Sequence, residues 1–276
     1  MISDAIQNKA GSIGIFDSGL GGLTLAKSII QAMPNANIIY LGDTARLPYG
    51  TKGAQIISLF TKQAFDFFQK HSVAAVVVAC HTVSTIGFSV VNRSRLAFPI
   101  IDASEILLAD LSNKIQRLNN FPKKIALLGT KATINSGVYQ KKLKDLYPTI
   151  DVCEAACPLF VPLIEEGIWE GELARLIIET HCHKLKEIAP EIVCLCCTHY
   201  PLIKDELQNY FQGALFADAS TEAAQILKAR LPETQLLKNA RRMFYVTDYH
   251  QNIKDLFQRI LGGLIGDFSL QQVSLG

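Results

Sequence analysis

Two apolar runs in this chain end in the same way. Val73-Ala74-Ala75-Val76-Val77-Val78-Ala79 runs without a polar break into Cys80-His81-Thr82, and Ile192-Val193-Cys194-Leu195-Cys196 runs into Cys197-Thr198-His199-Tyr200-Pro201. Runs this short and rich in valine and isoleucine suit strands of a parallel sheet covered on both faces. Parallel strands need crossover connections, usually helices, so the expected fold class is α/β. Two thiols at two similar strand ends point to one site built from two related halves.

The order of elements supports this reading. Ser12 to Phe16 is a short apolar strand, Asp17-Ser18-Gly19-Leu20-Gly21-Gly22 a glycine-rich turn, and Leu23 to Met33 a helix ending before Pro34. Asn37 to Leu41 is the next strand, and Ala54 to His71 an amphipathic helix with Ile56, Phe60, Ala64, Phe67 and Phe68 at helical spacing. Thr82 or Ser84 is expected to cap a helix running to about Leu96. The pattern then restarts: Lys124 to Leu128 is a strand, Gly129 to Thr133 a turn, and Ile134 to Leu146 a helix. Laying Asp17 on Gly129 gives an offset of 112 (129 − 17), and Cys80 on Cys197 gives 117 (197 − 80). The expectation is two pseudo-symmetric, doubly wound parallel-sheet domains with the active site in the cleft between them. Residues 1–99 with 213–276 would form the first domain and residues 100–212 the second, with Gln251 to Leu261 as the closing helix.

Composition narrows the classes. Of the 276 residues, 49% are hydrophobic and 19% charged, which excludes a disordered chain. A net charge of +2 is too small for a nucleic-acid footprint. The opening twelve residues lack the apolar core of a signal peptide, and the longest apolar run is too short to cross a bilayer. No membrane partner is expected. Seven cysteines in such a chain imply free thiols in a reducing cytoplasm. Cys194, Cys196 and Cys197 cluster near His181-Cys182-His183, but strand alternation would split them between two faces and no Cys-x-x-Cys spacing occurs. No metal is expected. Gly19-x-Gly21-Gly22 is not a dinucleotide fingerprint, and no pyridoxal or flavin motif appears, so no cofactor is expected either.

Free cysteine is ordinarily a buried hydrophobe, which is the reading for Cys153, Cys157, Cys182 and Cys194. Cys80 and Cys197 differ because each precedes a polar pair and a helix start. A helix N-terminus offers unpaired N–H groups and a positive dipole end, which is expected to lower a thiol's pKa. A thiolate on one face of a small molecule and a thiol on the other suit stereoinversion at carbon: one removes the α-proton and the other delivers a proton opposite.

At this point a family likeness is explicit. Phe16-Asp17-Ser18-Gly19-Leu20-Gly21-Gly22, Tyr40 to Gly50, Ala79-Cys80-His81-Thr82, Gly129-Thr130 with Ser136-Gly137-Val138-Tyr139, and Cys197-Thr198-His199-Tyr200-Pro201 stand in the order found in glutamate racemases. The chain resembles that branch of the cofactor-independent aspartate/glutamate racemase superfamily over nearly its whole length. The resemblance implies that Cys80 and Cys197 are the acid/base thiols, each serving one enantiomer. It implies that Asp17 assists Cys80 and His199 assists Cys197. Ser18, Tyr49, Gly50, Thr82 and Thr198 would contact a glutamate substrate, together with Asp17, His81 and His199, and Glu165 matches a carboxylate near the site. A homodimer, a bacterial cytoplasm and a supply of D-glutamate for peptidoglycan are further implications.

Two positions depart from the pattern. His81 stands where the family usually has asparagine, and Cys196 where it usually has glycine. A protonated His81 could pair with a Cys80 thiolate, bind the substrate carboxylate, or crowd the site, so altered activity or specificity is expected. The competing classes are a thiol hydrolase using Cys197 with His199, a racemase of another amino acid, and a non-catalytic amino-acid binder that kept the cleft. Without the family context, Asp17 would read as a turn cap, Tyr49-Gly50 as a plain turn and His199 as a core histidine.

Overall fold

The computed structural model describes residues 11–232, 236, 240–249, 251–265 and 268–276. Residues 1–10, most of the opening stretch read for export signals and the start of the expected first domain, lie outside it, as do residues 233–235, 237–239, 250 and 266–267 of that domain's C-terminal part.

The strands are β1 (Ser12–Asp17), β2 (Ile38–Gly42), β3 (Val73–Val78), β4 (Ile100–Asp102), β5 (Lys124–Gly129), β6 (Asp151–Ala156), β7 (Ile192–Cys196), β8 (Leu215–Asp218), β9 (Arg242–Val246) and β10 (Phe268–Gln272). They form two all-parallel sheets, ordered β10-β9-β2-β1-β3-β4 and β6-β5-β7-β8. Four consecutive strands of each sheet thus follow one order, with β6, β5, β7 and β8 in the places of β2, β1, β3 and β4. The offsets read from the sequence match it, since β1 corresponds to β5 and β3 to β7.

Burial explains why the central strands read as unbroken apolar runs. From Ala75 to Ala79 and from Ile192 to Cys196, every residue is at most 1% exposed. Helices cover both faces. Alternation sends Cys194 and Cys196 into one apolar cluster and Cys197 into another, as strand geometry requires.

The strand pairings show where the chain passes between the sheets. β4 pairs with β3, and β8 pairs with β7. The chain therefore crosses between sheets after Asp102 and after Asp218, a few residues beyond the expected domain limits at 99/100 and 212/213. Both strands are short edge strands, and their partners could not be read locally. Asp102 caps helix α4 (Ala103–Gln116), accepting from the backbone N–H groups of Ser104 and Glu105, and α4 packs toward the second sheet. The C-terminal segment returns to the first sheet through β9 and helix α11 (Gln251–Leu261), and β10 adds an edge strand that the sequence reading lacked.

Candidate active site

Parallel sheets bring the carboxyl ends of their strands to one edge, where side chains face a crevice. Here β1 delivers Asp17 and Ser18, β3 delivers Cys80, β5 delivers Thr130 and β7 delivers Cys197. A narrow cavity of about 20 Å³ lies between the sheets, bounded by Ser18, Tyr49, Gly50, Cys80, His81, Thr82, Thr130, Cys197, Thr198 and His199. Leu47, Pro48 and Val161 complete it. The volume holds about one water molecule and falls far short of an amino acid.

Cys80 is the N-cap of α3 (His81–Ile86), so neither Thr82 nor Ser84 caps it, and the helix stops well before Leu96. Gly87 ends it where a side chain would collide with Val83 and Thr61, so α3 and α2 (Ala54–Gln69) pack closely there. The Cys80 thiol donates to Ser18 Oγ at 3.3 Å. Its pKa is pushed up to about 12, first by burial and then by the Asp17 carboxylate. Ser18 and the Val83 backbone N–H pull the other way without prevailing. This reverses the expectation of a lowered pKa, because a six-residue helix end cannot offset burial of a 5%-exposed thiol beside a carboxylate.

Asp17 is fully buried. It accepts from Gly19 N–H at 3.1 Å and from the Thr198 hydroxyl at 3.2 Å. Burial raises its pKa, opposed chiefly by His199 and by the Gly22 and Gly19 N–H groups.

The Cys197 side is built differently. Cys197 Sγ lies 3.9 Å from His199 Nδ1, and His199 Nε2 lies 2.5 Å from Glu165 Oε1 at the end of α7 (Phe160–Glu165). Burial alone would lower the imidazole's pKa, but hydrogen bonds to Cys197 and Glu165 raise it well above the usual value. The ring is therefore held as imidazolium between a sulfur and a carboxylate. Glu165 does not bound the reaction cavity. It lines a second cavity with Glu166, Gly167, Asp255, Leu256 and Arg259.

His81 corrects a second expectation. Its Nδ1 lies 2.5 Å from the Tyr139 hydroxyl, and burial lowers its pKa to about 3 despite the Asp218 and Asp102 carboxylates. It is neutral near pH 7 and forms no ion pair with Cys80. Tyr49 lines the cavity while its hydroxyl donates to Asp43, which also takes Arg46 Nε at 2.7 Å and the Thr247 hydroxyl at 2.8 Å. Thr82 Oγ1 meets Thr130 Oγ1 at 3.0 Å and Thr133 Oγ1 at 3.2 Å.

Close approaches knit the halves. A Cβ on Gly50 would sit 2.5 Å from Thr130, and one on Gly21 would overlap Thr198 and His199. Thr24 Oγ1 donates to the Thr198 carbonyl at 3.1 Å. Arg259 of α11 stacks over Trp169 at 3.6 Å and donates to the Gly167 carbonyl at 2.5 Å. The structure thus brings together Asp17, Ser18, Tyr49, Gly50, Cys80, His81, Thr82, Cys197, Thr198 and His199, with Glu165 joined through His199.

Residues 21–226 match the family model described as Asp/Glu/Hydantoin racemase. The chain belongs to this family. It is 39% identical to a glutamate racemase of Aquifex aeolicus, over 91% of this chain and 94% of that one. Its fold is similar to the solved glutamate racemase of Francisella tularensis in complex with D-glutamate, with TM-score 0.85 and 34% identity over 96% of this chain and 98% of that one. The Campylobacter jejuni glutamate racemase gives a TM-score of 0.80 at 33% identity, covering 92% and 99%.

Within this racemase frame the sequence reading missed Thr130, Thr133, Tyr139 and Asp43. Thr130 had a signal, because it lies 112 residues after Ser18 and so takes the same place after β5 that Ser18 takes after β1. Asp43 stands in the quoted Tyr40–Gly50 segment, but its clamp on Tyr49 depends on Thr247, 204 residues away. Among the described residues, no group of three or more His, Cys, Asp or Glu side chains is placed to hold a metal ion. No described helix is long and apolar enough to cross a membrane.

Proposed function

We propose that this racemase-family member is a glutamate racemase, an isomerase that interconverts L- and D-glutamate by proton transfer between two thiols. The observation that carries the reading is the pair Cys80 and Cys197 on one cavity, each supported by its own half. Its glutamate-racemase relatives, matched over nearly the full chain, support the substrate.

The electrostatics set the roles at rest. Cys80 keeps its proton, its pKa pushed up to about 12, while Cys197 Sγ stands 3.9 Å from His199 Nδ1 on the other side. The Cys197 thiolate removes the α-proton: the C–H bond breaks, an S–H bond forms, and the electron pair stays on carbon. Cys80 then gives its S–H proton to the opposite face and becomes a thiolate. The other enantiomer runs the same steps backwards, and the thiols reset by exchanging protons with water. Asp17 and Thr198 hold the Cys80 side, and Glu165 fixes His199 on the other. Ser18, Thr82, Thr198 and the Tyr49-Gly50 backbone surround the substrate. The cavity admits an amino acid only after the halves part, so binding includes an opening and closing step. The free thiols suit a reducing bacterial cytoplasm, where the enzyme would act as a homodimer and supply D-glutamate for peptidoglycan.

The test is incubation in heavy water with single enantiomers of glutamate and, separately, aspartate, without added cofactor. Deuterium at the α-carbon of glutamate, abolished in Cys80→Ala and in Cys197→Ala, is the expected result. Exchange with aspartate alone would assign another substrate. Binding without exchange would make the chain a non-catalytic relative.

A further inference from the structure

His81 and Tyr139 belong to different halves and meet at the cavity wall. His81 opens α3, and Tyr139 lies in the first turn of α6 (Val138–Leu146), where the expected single helix from Ile134 breaks into α5 (Lys131–Asn135) and α6 at Gly137, with φ 64°. Both side chains are at most 2% exposed. Their bond is short, at 2.5 Å between Nδ1 and the hydroxyl oxygen.

A buried hydroxyl needs an acceptor for its proton. Among the described residues, the hydrogen-bond partner of the Tyr139 hydroxyl is His81 Nδ1. Were Nδ1 the donor, the phenol proton would be left without a place in the core. The phenol also retains that proton, because burial, followed by the neighbouring Cys196, lifts its pKa well above the ordinary value. Nδ1 therefore accepts, and in the neutral ring the proton sits on Nε2. His81 bounds the reaction cavity, and with Nδ1 engaged, Nε2–H is the polar edge it can offer. An N–H can meet a carboxylate oxygen but not an ammonium group.

We infer that Tyr139 is a positioning residue that fixes His81 as an Nε2-protonated neutral imidazole, which donates a hydrogen bond to a carboxylate of the amino-acid substrate. This rests on the racemase reading for the substrate, while the tautomer stands on the structure alone. It also resolves the departure at position 81. The imidazole supplies one uncharged donor, and Tyr139 removes the choice of tautomer that a free histidine would bring.

Two measurements on the intact protein test this. Long-range nitrogen–proton NMR of histidine-labelled protein, with the His81 signals identified by their loss in His81→Asn, should show a pyrrole-like Nε2 and a pyridine-like Nδ1 near neutral pH. In Tyr139→Phe that pattern should give way to a tautomer mixture. In kinetics, Tyr139→Phe should raise KM for glutamate about three- to tenfold and change kcat less than about twofold. In a His81→Asn background the same change should move KM less than about twofold, since Tyr139 then has no imidazole to orient. A pyrrole-like Nδ1, a doubly protonated ring at neutral pH, or an equal KM effect in both backgrounds would overturn the inference. Wild-type protein that fails to racemise glutamate would sink the racemase reading instead. The double comparison would then be read as glutamate Kd by calorimetry, with the same deciding outcomes.

Discussion

The imidazole of His81 lies 2% exposed against the Tyr139 hydroxyl, and that setting has a consequence for stability. A histidine whose pKa falls from 6.5 to about 3 on folding is neutral in the native state where the unfolded chain is already protonated. Between those values the unfolded state binds more protons, so stability rises with pH. The contribution is whole above about pH 6.5 and is lost as pH falls through the native value. At about 1.36 kcal/mol per pH unit, wild-type protein should lose about 2–3 kcal/mol more than His81→Asn between pH 7 and pH 4.5. Urea unfolding at the two pH values measures this, and parallel losses in the two proteins would contradict it. Cys80 and Cys197 stood out in the sequence because each sits where an apolar run stops, whereas the other expected site residues rested on the family resemblance. Protonation states were not legible. Cys80 carries the signature of a helix-activated thiol, yet its burial and its approach to Asp17 are tertiary facts that reverse the direction of the shift.

At the scale of elements, the loops between strand and helix decide how closely the halves meet. The short turn Tyr49–Thr51 presses Gly50 against Thr130, which also caps α5 and holds Thr82. Gly50→Ala would drive a Cβ into Thr130 at 2.5 Å, and since both contacts are backbone-anchored, one loop must move. Overpacking of this kind costs about 1–3 kcal/mol. The expected outcome is a drop of that size in unfolding free energy, with glutamate turnover reduced by at least about tenfold; a variant with unchanged kcat/KM would refute the argument. The strands were legible because buried parallel strands are continuous apolar runs. α3 was read too long because the close packing of Gly87 on Thr61 of α2 has no local signature. The pairing of β4 with β3 and of β8 with β7 was not legible, because a strand of three or four residues carries no mark of its neighbour.

For the whole molecule, closure hides the reactive groups. Cys80 and Cys197 are buried, as are Cys157, Cys182, Cys194 and Cys196, while Cys153 is partly exposed. Titration with a thiol reagent should therefore label Cys153 first, then Cys80 and Cys197 slowly as the halves part. D-glutamate should suppress the second phase without touching the first. Equal labelling of Cys80 with and without ligand would argue against a closed, ligand-gated site. The chain's single tryptophan, Trp169, belongs to the half that holds Glu165 and is stacked under Arg259 from α11 of the other. Arg259→Ala should remove about 0.5–1 kcal/mol of that contact. It should also abolish any change in Trp169 fluorescence on adding glutamate, and a persistent change would place the moving contact elsewhere.

The repeated strand order bears on handedness. A chain of L-residues is itself chiral, and a single binding surface made from it prefers one mirror form of a small molecule. Two copies of one supersecondary unit, set with their strand ends toward a shared space, can meet the two faces of a flat carbon with equivalent backbone. In the proposed reaction that carbon is the deprotonated α-carbon, whose two faces lead to the two hands. Duplication would thus let an asymmetric polymer treat left and right nearly alike. The remaining inequality would lie in the carboxylates behind the thiols: Asp17, sealed from water, and Glu165, 24% exposed at a second cavity.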